Sequence, residues 1–128
     1  MHLTHLGLPV ADEQRSALFY QAYFGFDPET AQRYGDGRLI IRNADGFDLA
    51  LHPVASAGAP PGFLHFGFRL ARPGEVHALM AHMEGEGVTI AERDEEPGYV
   101  AFKCLDPDGY RIEVYCEPGE TTDAAARC

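Results

Sequence analysis

The sequence predicts an α+β fold built from two tandem βαβββ modules, and a duplicated motif is the first observation behind this prediction. Thr4–Ala11 and Leu64–Ala71 match at a constant offset of 60 residues, and each places a His and a Gly on one face of a strand-like run. The turns Asp45–Phe47 and Asp108–Tyr110 match at an offset of 63 residues. Two copies indicate a duplicated module, because a solenoid would need at least three repeats.

Module one, residues 1–55, has the order of elements that this fold requires. Alternating apolar residues predict a half-buried strand over Met1–Val10. Asp12 is a suitable N-cap for the helix that follows, and Gly25 is a natural stop for it. Three short strands complete the module, and they are predicted over Gln32–Tyr34, Arg38–Arg42 and Phe47–His52.

Module two, residues 63–117, follows a linker rich in Pro and Gly over residues 56–62 and repeats this order. Pro73 lies where the second helix can begin, and apolar residues at helical spacing after it predict a buried stripe. The strands are predicted over His65–Leu70, Thr89–Arg93, Tyr99–Leu105 and Tyr110–Cys116. The change of offset from 60 to 63 predicts three additional residues near the Asp94–Gly98 loop. Residues 118–128 are expected to form a mobile tail.

Composition limits the classes of function. The 128 residues suit one compact domain, expected over residues 1–117, and the net charge of −10 argues against binding to nucleic acid or to an anionic membrane. The sequence shows no secretory signal and no apolar run of about 20 residues, so a cytoplasmic protein is expected. The 3 cysteines lack CxxC spacing, which argues against a disulfide framework.

Several segments resemble the vicinal oxygen chelate superfamily, which includes glyoxalase I, extradiol dioxygenases, fosfomycin-resistance enzymes and bleomycin-binding proteins. Phe102–Tyr115 is similar to the family's last hairpin, and Thr4–Leu6 and Leu64–Phe66 are similar to the first strand of each module. The resemblance covers residues 2–117. It implies a curved, cup-shaped mixed sheet with helices on its outer face, enclosing a divalent metal ion.

The resemblance implies that His5, His65 and Glu113 bind this metal, which would be Fe(II), Mn(II), Zn(II) or Ni(II). Two imidazoles and one carboxylate leave open positions for substrate oxygens. Glu113 lies between two aliphatic residues, where a carboxylate is costly unless it is paired or bound to metal, and it could also move protons as the catalytic group. The alternative is an ordinary cross-strand ion pair between Glu113 and Lys103.

At an offset of 63, the position in module one that corresponds to Glu113 is Ala50. Glyoxalase-like members usually have a fourth ligand there, so its absence favours three protein ligands. Asp48 and His52 flank Ala50 on the same face, and either could supply a fourth ligand if the local register differs.

Other polar residues are expected on the same face and would bind the substrate: Arg69, Lys103, Arg111, Tyr115, His52 and Asp48, with Tyr99 beside Lys103. Cationic groups near a metal favour an anionic or enolate-like substrate. The alternative is that these residues form a solvated rim.

Two functions remain open. The first is a metal-dependent enzyme that chelates vicinal oxygens of a small substrate, with isomerase or lyase chemistry or ring-cleaving dioxygenase chemistry. The alternative is a non-catalytic binding protein of the bleomycin-resistance type, which sequesters a cationic drug and would suit the acidic charge.

A homodimer is expected because pairing between chains would cover open sheet edges. The resemblance implies that modules can be exchanged between subunits, so that His5 of one chain joins His65 and Glu113 of the other.

Overall fold

The chain divides into two units within the predicted linker. The computed structural model describes residues 1–56 and 58–117. Unit 1 covers Met1–Ala59, and unit 2 begins at Pro60. The predicted tail, residues 118–128, lies outside the described residues.

Unit 1 has the predicted βαβββ order. Its elements are β1 (His5–Val10), α1 (Glu13–Tyr23), β2 (Phe26–Arg33), β3 (Leu39–Asn43) and β4 (Asp48–Pro53). The sheet has the order β1-β4-β3-β2, in which β1 and β4 are parallel and the other pairs are antiparallel. The Asp12 carboxylate accepts hydrogen bonds from the backbone N–H groups of Gln14 and Arg15, which confirms the predicted N-cap.

Unit 2 repeats this architecture. Its elements are β5 (His65–Arg69), α2 (Pro73–Gly85), β6 (Ile90–Glu96), β7 (Tyr99–Leu105) and β8 (Arg111–Cys116). The sheet has the order β5-β8-β7-β6, with β5 and β8 parallel. The predicted α+β class with two βαβββ modules is therefore confirmed, and each module has a four-stranded mixed sheet.

The additional residues of unit 2 lie in the hairpin between β6 and β7, as predicted. Gln32 pairs with Ile40 in unit 1, whereas Glu92 pairs with Lys103 in unit 2. The second hairpin is therefore three residues longer, and its strands are extended through Glu96.

Strand β2 was the least predictable element, because its 8 residues were expected to form only a short strand at Gln32–Tyr34. Its middle is polar, and its pairing with β3 shifts register between Asp27 and Gln32. Such a shift removes the strict alternation by which a strand is recognised in a sequence.

Each helix packs on one face of its own sheet, where α1 contacts β2 and β4, and α2 contacts β7 and β8. Val76 and Met83 of α2 are fully buried, which fits the predicted apolar stripe. Side chains alternate along β8: Ile112 and Val114 are buried on the helix side, and Glu113 between them is only half-buried. We call the face opposite the helix the open face of each unit.

The cysteines differ from one another. Cys104 is a free, fully buried thiol, and burial raises its pKa to about 12, so it behaves as a small hydrophobic residue. Cys116 forms a disulfide bond, which the odd cysteine count did not predict.

Among the described residues, no helix has the length and apolarity needed to cross a membrane. The cytoplasmic location stays a prediction.

Candidate functional site

Strand register places Ala50 and Glu113 at corresponding positions of the two units. Gly7 of β1 lies opposite Ala50 of β4, and Gly67 of β5 lies opposite Glu113 of β8. The correspondence inferred at an offset of 63 residues is therefore correct, and unit 1 has an alanine where unit 2 has a carboxylate. At this position of the repeat, only unit 2 therefore has a carboxylate that could bind a metal or move a proton.

Unit 2 brings His65 and Glu113 together on its open face. The His65 Nε2 atom lies 3.8 Å from the Glu113 Oε2 atom. The other ring nitrogen, Nδ1, lies 2.9 Å from the backbone oxygen of Phe63. Because a carbonyl only accepts hydrogen bonds, Nδ1 carries the proton that is donated to Phe63, and Nε2 is the ring nitrogen left beside the carboxylate. This arrangement is typical of a histidine prepared to bind a metal.

The donor pair fits a divalent ion approximately. Two ligands at about 2.1 Å from one ion stand roughly 3.0 to 3.4 Å apart in octahedral or tetrahedral geometry. The observed 3.8 Å is slightly wider, so a metal would draw the two side chains together by a few tenths of an ångström. Exposed fractions of 42% for His65 and 24% for Glu113 leave room for that movement and for an incoming ligand.

Tyr99 holds the second oxygen of this carboxylate. Its hydroxyl donates a hydrogen bond of 3.2 Å to the Glu113 Oε1 atom. Burial, and next the charge of Glu113, raise the pKa of Tyr99 to about 12, so the phenol remains a donor at neutral pH. Glu113 therefore has one oxygen fixed by a phenol and the other facing an imidazole.

Lys103 lies directly opposite Glu113, but it does not form the simple ion pair that was considered. Its ammonium group binds the Glu92 carboxylate at 2.7 Å, and this hydrogen bond lowers the pKa of Glu92. Because Lys103 is already paired, the alternative of a structural Lys103–Glu113 ion pair loses its support.

In unit 1, the His5 Nδ1 atom lies 3.2 Å from the Thr4 hydroxyl oxygen, which can either donate or accept a hydrogen bond. Asp48 and His52 flank Ala50, as predicted. Both Asp48 oxygens are bound by Arg42, at 2.7 and 3.0 Å, and this contact lowers the pKa of Asp48. A carboxylate engaged at both oxygens is a poor candidate for a fourth metal ligand.

The glycines of the duplicated motif make room for an aromatic ring from the adjacent strand. A Cβ atom on Gly67 would lie 3.5 Å from the Tyr115 ring, and one on Gly7 would lie 3.4 Å from the His52 ring. Tyr115 and His52 occupy corresponding positions, 63 residues apart, so each unit repeats the same glycine–aromatic contact. His52 thus packs over Gly7 on the open face.

The two predicted arginines of unit 2 are engaged by the backbone and by carboxylates. Arg111 donates a hydrogen bond of 2.6 Å to the Gly62 carbonyl, and its buried Nε–H has no hydrogen-bond partner among the described residues. Arg69 contacts Glu117, with 3.6 Å between Nη1 and Oε1. Neither arginine therefore presents a wholly free guanidinium.

A cavity of about 330 Å³ adjoins Glu113 in unit 2. Its lining consists of Glu92, Arg93, Asp94, Ala101, Phe102, Lys103 and Glu113. The volume is at the lower end for a site that encloses a small organic molecule. A smaller cavity of about 190 Å³ lies on the sheet of unit 1 beside Arg42 and Asp48.

Within residues 1–56 and 58–117, no three His, Cys, Asp or Glu side chains form a group arranged to hold a metal. The structure therefore supplies two candidate ligands close together in unit 2, and His5 belongs to unit 1.

Sequence reasoning missed the contributions of Glu92 and of the Phe63 carbonyl. The pairing of Glu92 with Lys103 depends on a register shift in β6 between Ile90 and Glu92, and a carbonyl contact leaves no mark in a sequence.

Comparison with known proteins gives the family. A model of the Glyoxalase/Bleomycin resistance protein/Dioxygenase superfamily matches residues 2–114. No curated protein matches the chain significantly. Among solved structures, a possible glyoxalase from Bacillus cereus is 27% identical, with 91% of this chain and 99% of that chain covered and a TM-score of 0.77.

Two more distant structures share the fold. A lactoylglutathione lyase from Agrobacterium tumefaciens is 19% identical over 89% of this chain and 92% of its own, with a TM-score of 0.68. The fosfomycin resistance protein FosX from Listeria monocytogenes is 18% identical over 90% of this chain and 92% of its own, with a TM-score of 0.76. The tandem βαβββ units and the match over residues 2–114 together show that this chain belongs to the Glyoxalase/Bleomycin resistance protein/Dioxygenase superfamily.

Proposed function

We propose that the protein is a metal-dependent enzyme of the glyoxalase/dioxygenase type, in which His5, His65 and Glu113 hold a divalent ion: Fe(II), Mn(II), Zn(II) or Ni(II). The observation that carries this proposal is the His65 ring, whose Nδ1 is fixed on the Phe63 carbonyl while Nε2 faces the Glu113 carboxylate. When bound, the metal would chelate adjacent oxygens of a small substrate and stabilise the negative charge that develops on them.

In the proposed mechanism, unit 2 supplies the group that moves a proton and most of the contacts with the substrate. Glu113 is the group that moves a proton, because it is half-buried and has no Lys or Arg partner in the described part of the chain. The cavity beside it receives the substrate, lined by Lys103 and Ala101. The proposed substrate contacts are Arg69, Lys103, Arg111 and Tyr115 from unit 2, with His52 and Asp48 from unit 1.

The third ligand, His5, is proposed from the repeat. It occupies the position of unit 1 that corresponds to His65, and its Nδ1 also contacts an oxygen, that of Thr4. A His–His–Glu set leaves coordination positions open, as a metal that binds substrate directly requires.

Elemental analysis of protein purified without oxygen tests the proposal. We expect about one bound divalent ion per protein chain. The variants His65→Ala and Glu113→Ala should lose this ion. The matched control is His77→Ala, which should keep the ion. His77 belongs to a similar His–Glu pair away from the proposed centre, because its Nε2 atom lies 3.5 Å from Glu95 on the helix side of the sheet. Iron would favour dioxygenase chemistry, and zinc or nickel would favour isomerase or lyase chemistry. Wild-type protein without metal, even after reconstitution, would refute the proposal.

A second candidate is a binding protein for a cationic small molecule, of the bleomycin-resistance kind. One observation favours it: the cavity of unit 2 is lined by the carboxylates Glu92, Asp94 and Glu113, and both of its cations are paired. Lys103 binds Glu92, and Arg93 binds Glu84 at 2.6 Å. Tight binding of a cationic drug by metal-free protein, unchanged in His65→Ala, would support this candidate.

We also propose that the protein is a homodimer. The strands β1 and β2 are the edges of one sheet, and β5 and β6 are the edges of the other, so each unit offers edges that a second chain could cover. Light scattering at micromolar concentration tests the proposal. A monomer would also exclude the version in which His5 of one chain joins His65 and Glu113 of its partner.

A further inference from the structure

We infer that Tyr99 is a positioning residue for Glu113: the Tyr99 hydroxyl binds one carboxylate oxygen and so fixes the orientation in which the other faces His65. This inference rests on the proposed function, because it concerns the same centre. Tyr99 donates to Oε1 at 3.2 Å, and Oε2 is the oxygen that lies 3.8 Å from the His65 Nε2 atom. The two oxygens of one carboxylate are thus assigned to different partners.

The surroundings make this hydrogen bond the main restraint on the carboxylate. Lys103 lies directly opposite Glu113, but its ammonium group is hydrogen-bonded to Glu92. No other Lys or Arg pairs with Glu113 among the described residues. Ala101 lies between Tyr99 and Lys103 on the same face of β7 and lines the cavity beside Glu113. A side chain as small as that of Ala101 does not obstruct the diagonal contact between Tyr99 and Glu113.

Unit 1 provides an internal comparison. It has Ala50 in place of Glu113, and its open-face tyrosine, Tyr34, donates instead to the Gln32 side chain at 3.1 Å. The phenol–carboxylate pair therefore occurs in the unit that carries the acidic ligand. Groups that hydrogen-bond to a metal ligand fix its orientation, and their loss typically weakens metal binding by 10- to 100-fold.

Titration of the metal-free full-length protein with Co(II) and Zn(II), followed by calorimetry and by the visible Co(II) spectrum, tests the inference. Tyr99→Phe keeps the ring but removes the hydroxyl, and we expect at least about a tenfold weaker metal affinity with an altered Co(II) spectrum. The metal-free variant should unfold at the wild-type temperature, which separates positioning from a structural role. Tyr34→Phe is the matched control and should bind both metals as the wild type does.

Glu113→Gln separates failure of this inference from failure of the proposed function. If Glu113→Gln loses affinity while Tyr99→Phe keeps wild-type affinity and spectrum, the positioning role is refuted and the metal centre stands. If Glu113→Gln binds metal as tightly as the wild type, or if the wild type binds none, the proposed function fails and the role of Tyr99 fails with it.

Discussion

The glycine in each copy of the duplicated motif lies beside an aromatic ring, but only Gly67 also lies close to the backbone of a neighbouring strand. A Cβ atom on Gly67 would lie 3.2 Å from the backbone oxygen of Glu113 and 3.4 Å from its Cβ atom, and neither can turn away. A Cβ atom on Gly7 would meet only the His52 ring, at 3.4 Å, and that ring can rotate. The same residue type is therefore required to different degrees in the two units.

We expect Gly67→Ala to lower the free energy of unfolding by about 1–3 kcal/mol, because overpacking forces the backbone of β8 to shift. Gly7→Ala, its matched control, should cost less than about 1 kcal/mol, because a movable side chain relieves the contact. Denaturant unfolding of both variants measures the difference. Equal losses would show that the close contact with the Glu113 backbone has no energetic consequence.

The raised pKa of Tyr99 predicts an effect at alkaline pH. Burial, followed by the charge of Glu113, raises its folded-state pKa to about 12, above the value of about 10 in an unfolded chain. The folded protein therefore retains a proton that the unfolded chain loses, so stability is complete below about pH 10 and declines as the pH rises towards 12. Phenolate absorbance should show a late-titrating fraction that Tyr99→Phe reduces. An unchanged titration curve in that variant would contradict the prediction.

At the scale of residues, the sequence alone could indicate the candidate ligands but not the contacts that support them. His65 could be proposed as a ligand because the repeat pairs it with His5, and Glu113 because Phe102–Tyr115 resembles the last hairpin of the family. Their supporting contacts could not be found in the same way. The Tyr99 hydroxyl reaches Glu113 along the sheet rather than directly across it, so no simple pairing rule connects the two.

At the scale of elements, the two helices begin at corresponding positions with different caps. Asp12 accepts hydrogen bonds from two backbone N–H groups of α1. Arg72 occupies the corresponding position before α2, but a guanidinium has no acceptor, so there the Glu75 carboxylate binds back to the Arg72 N–H at 3.1 Å. The start of α1 thus depends on its N-cap side chain, and the start of α2 does not.

Replacing each N-cap residue tests this difference. Asp12→Ala should lower the free energy of unfolding by about 1 kcal/mol, within a usual range of about 0.5–2 kcal/mol, because two N–H groups lose their acceptor. Arg72→Ala should change it by a few tenths at most, because no capping bond is removed. Thermal or denaturant unfolding measures both values. A larger loss in Arg72→Ala than in Asp12→Ala would refute this account of the caps.

The elements could be predicted to different extents for a physical reason. Strand β7 is an inner strand rich in apolar residues, most of them buried, and it occurs as predicted over Tyr99–Leu105. Strands β2 and β6 lie at sheet edges, are mostly polar and contain register shifts, so their lengths depend on pairing with the neighbouring strand. Edge strands of this kind are specified by tertiary contacts more than by their own periodicity.

For the whole molecule, the proposed centre requires ligands from both units. His5 belongs to unit 1, and His65 and Glu113 belong to unit 2. The repeat predicts this sharing, because one ligand comes from each copy of the duplicated strand. A metal bound only by the folded form then stabilises the two units jointly.

Calorimetric unfolding with and without metal tests this sharing. At free metal 100 times its dissociation constant, the folded state should gain about 2.7 kcal/mol, and the unfolding of both units should move to higher temperature. His5→Ala should remove most of this gain, whereas His2→Ala, which changes an exposed histidine of the same unit, should retain it. If His5→Ala keeps the full metal-dependent shift while Glu113→Gln loses it, the centre lies in unit 2 alone. The two symmetric histidines would then have separate roles, despite their matching positions in the repeat.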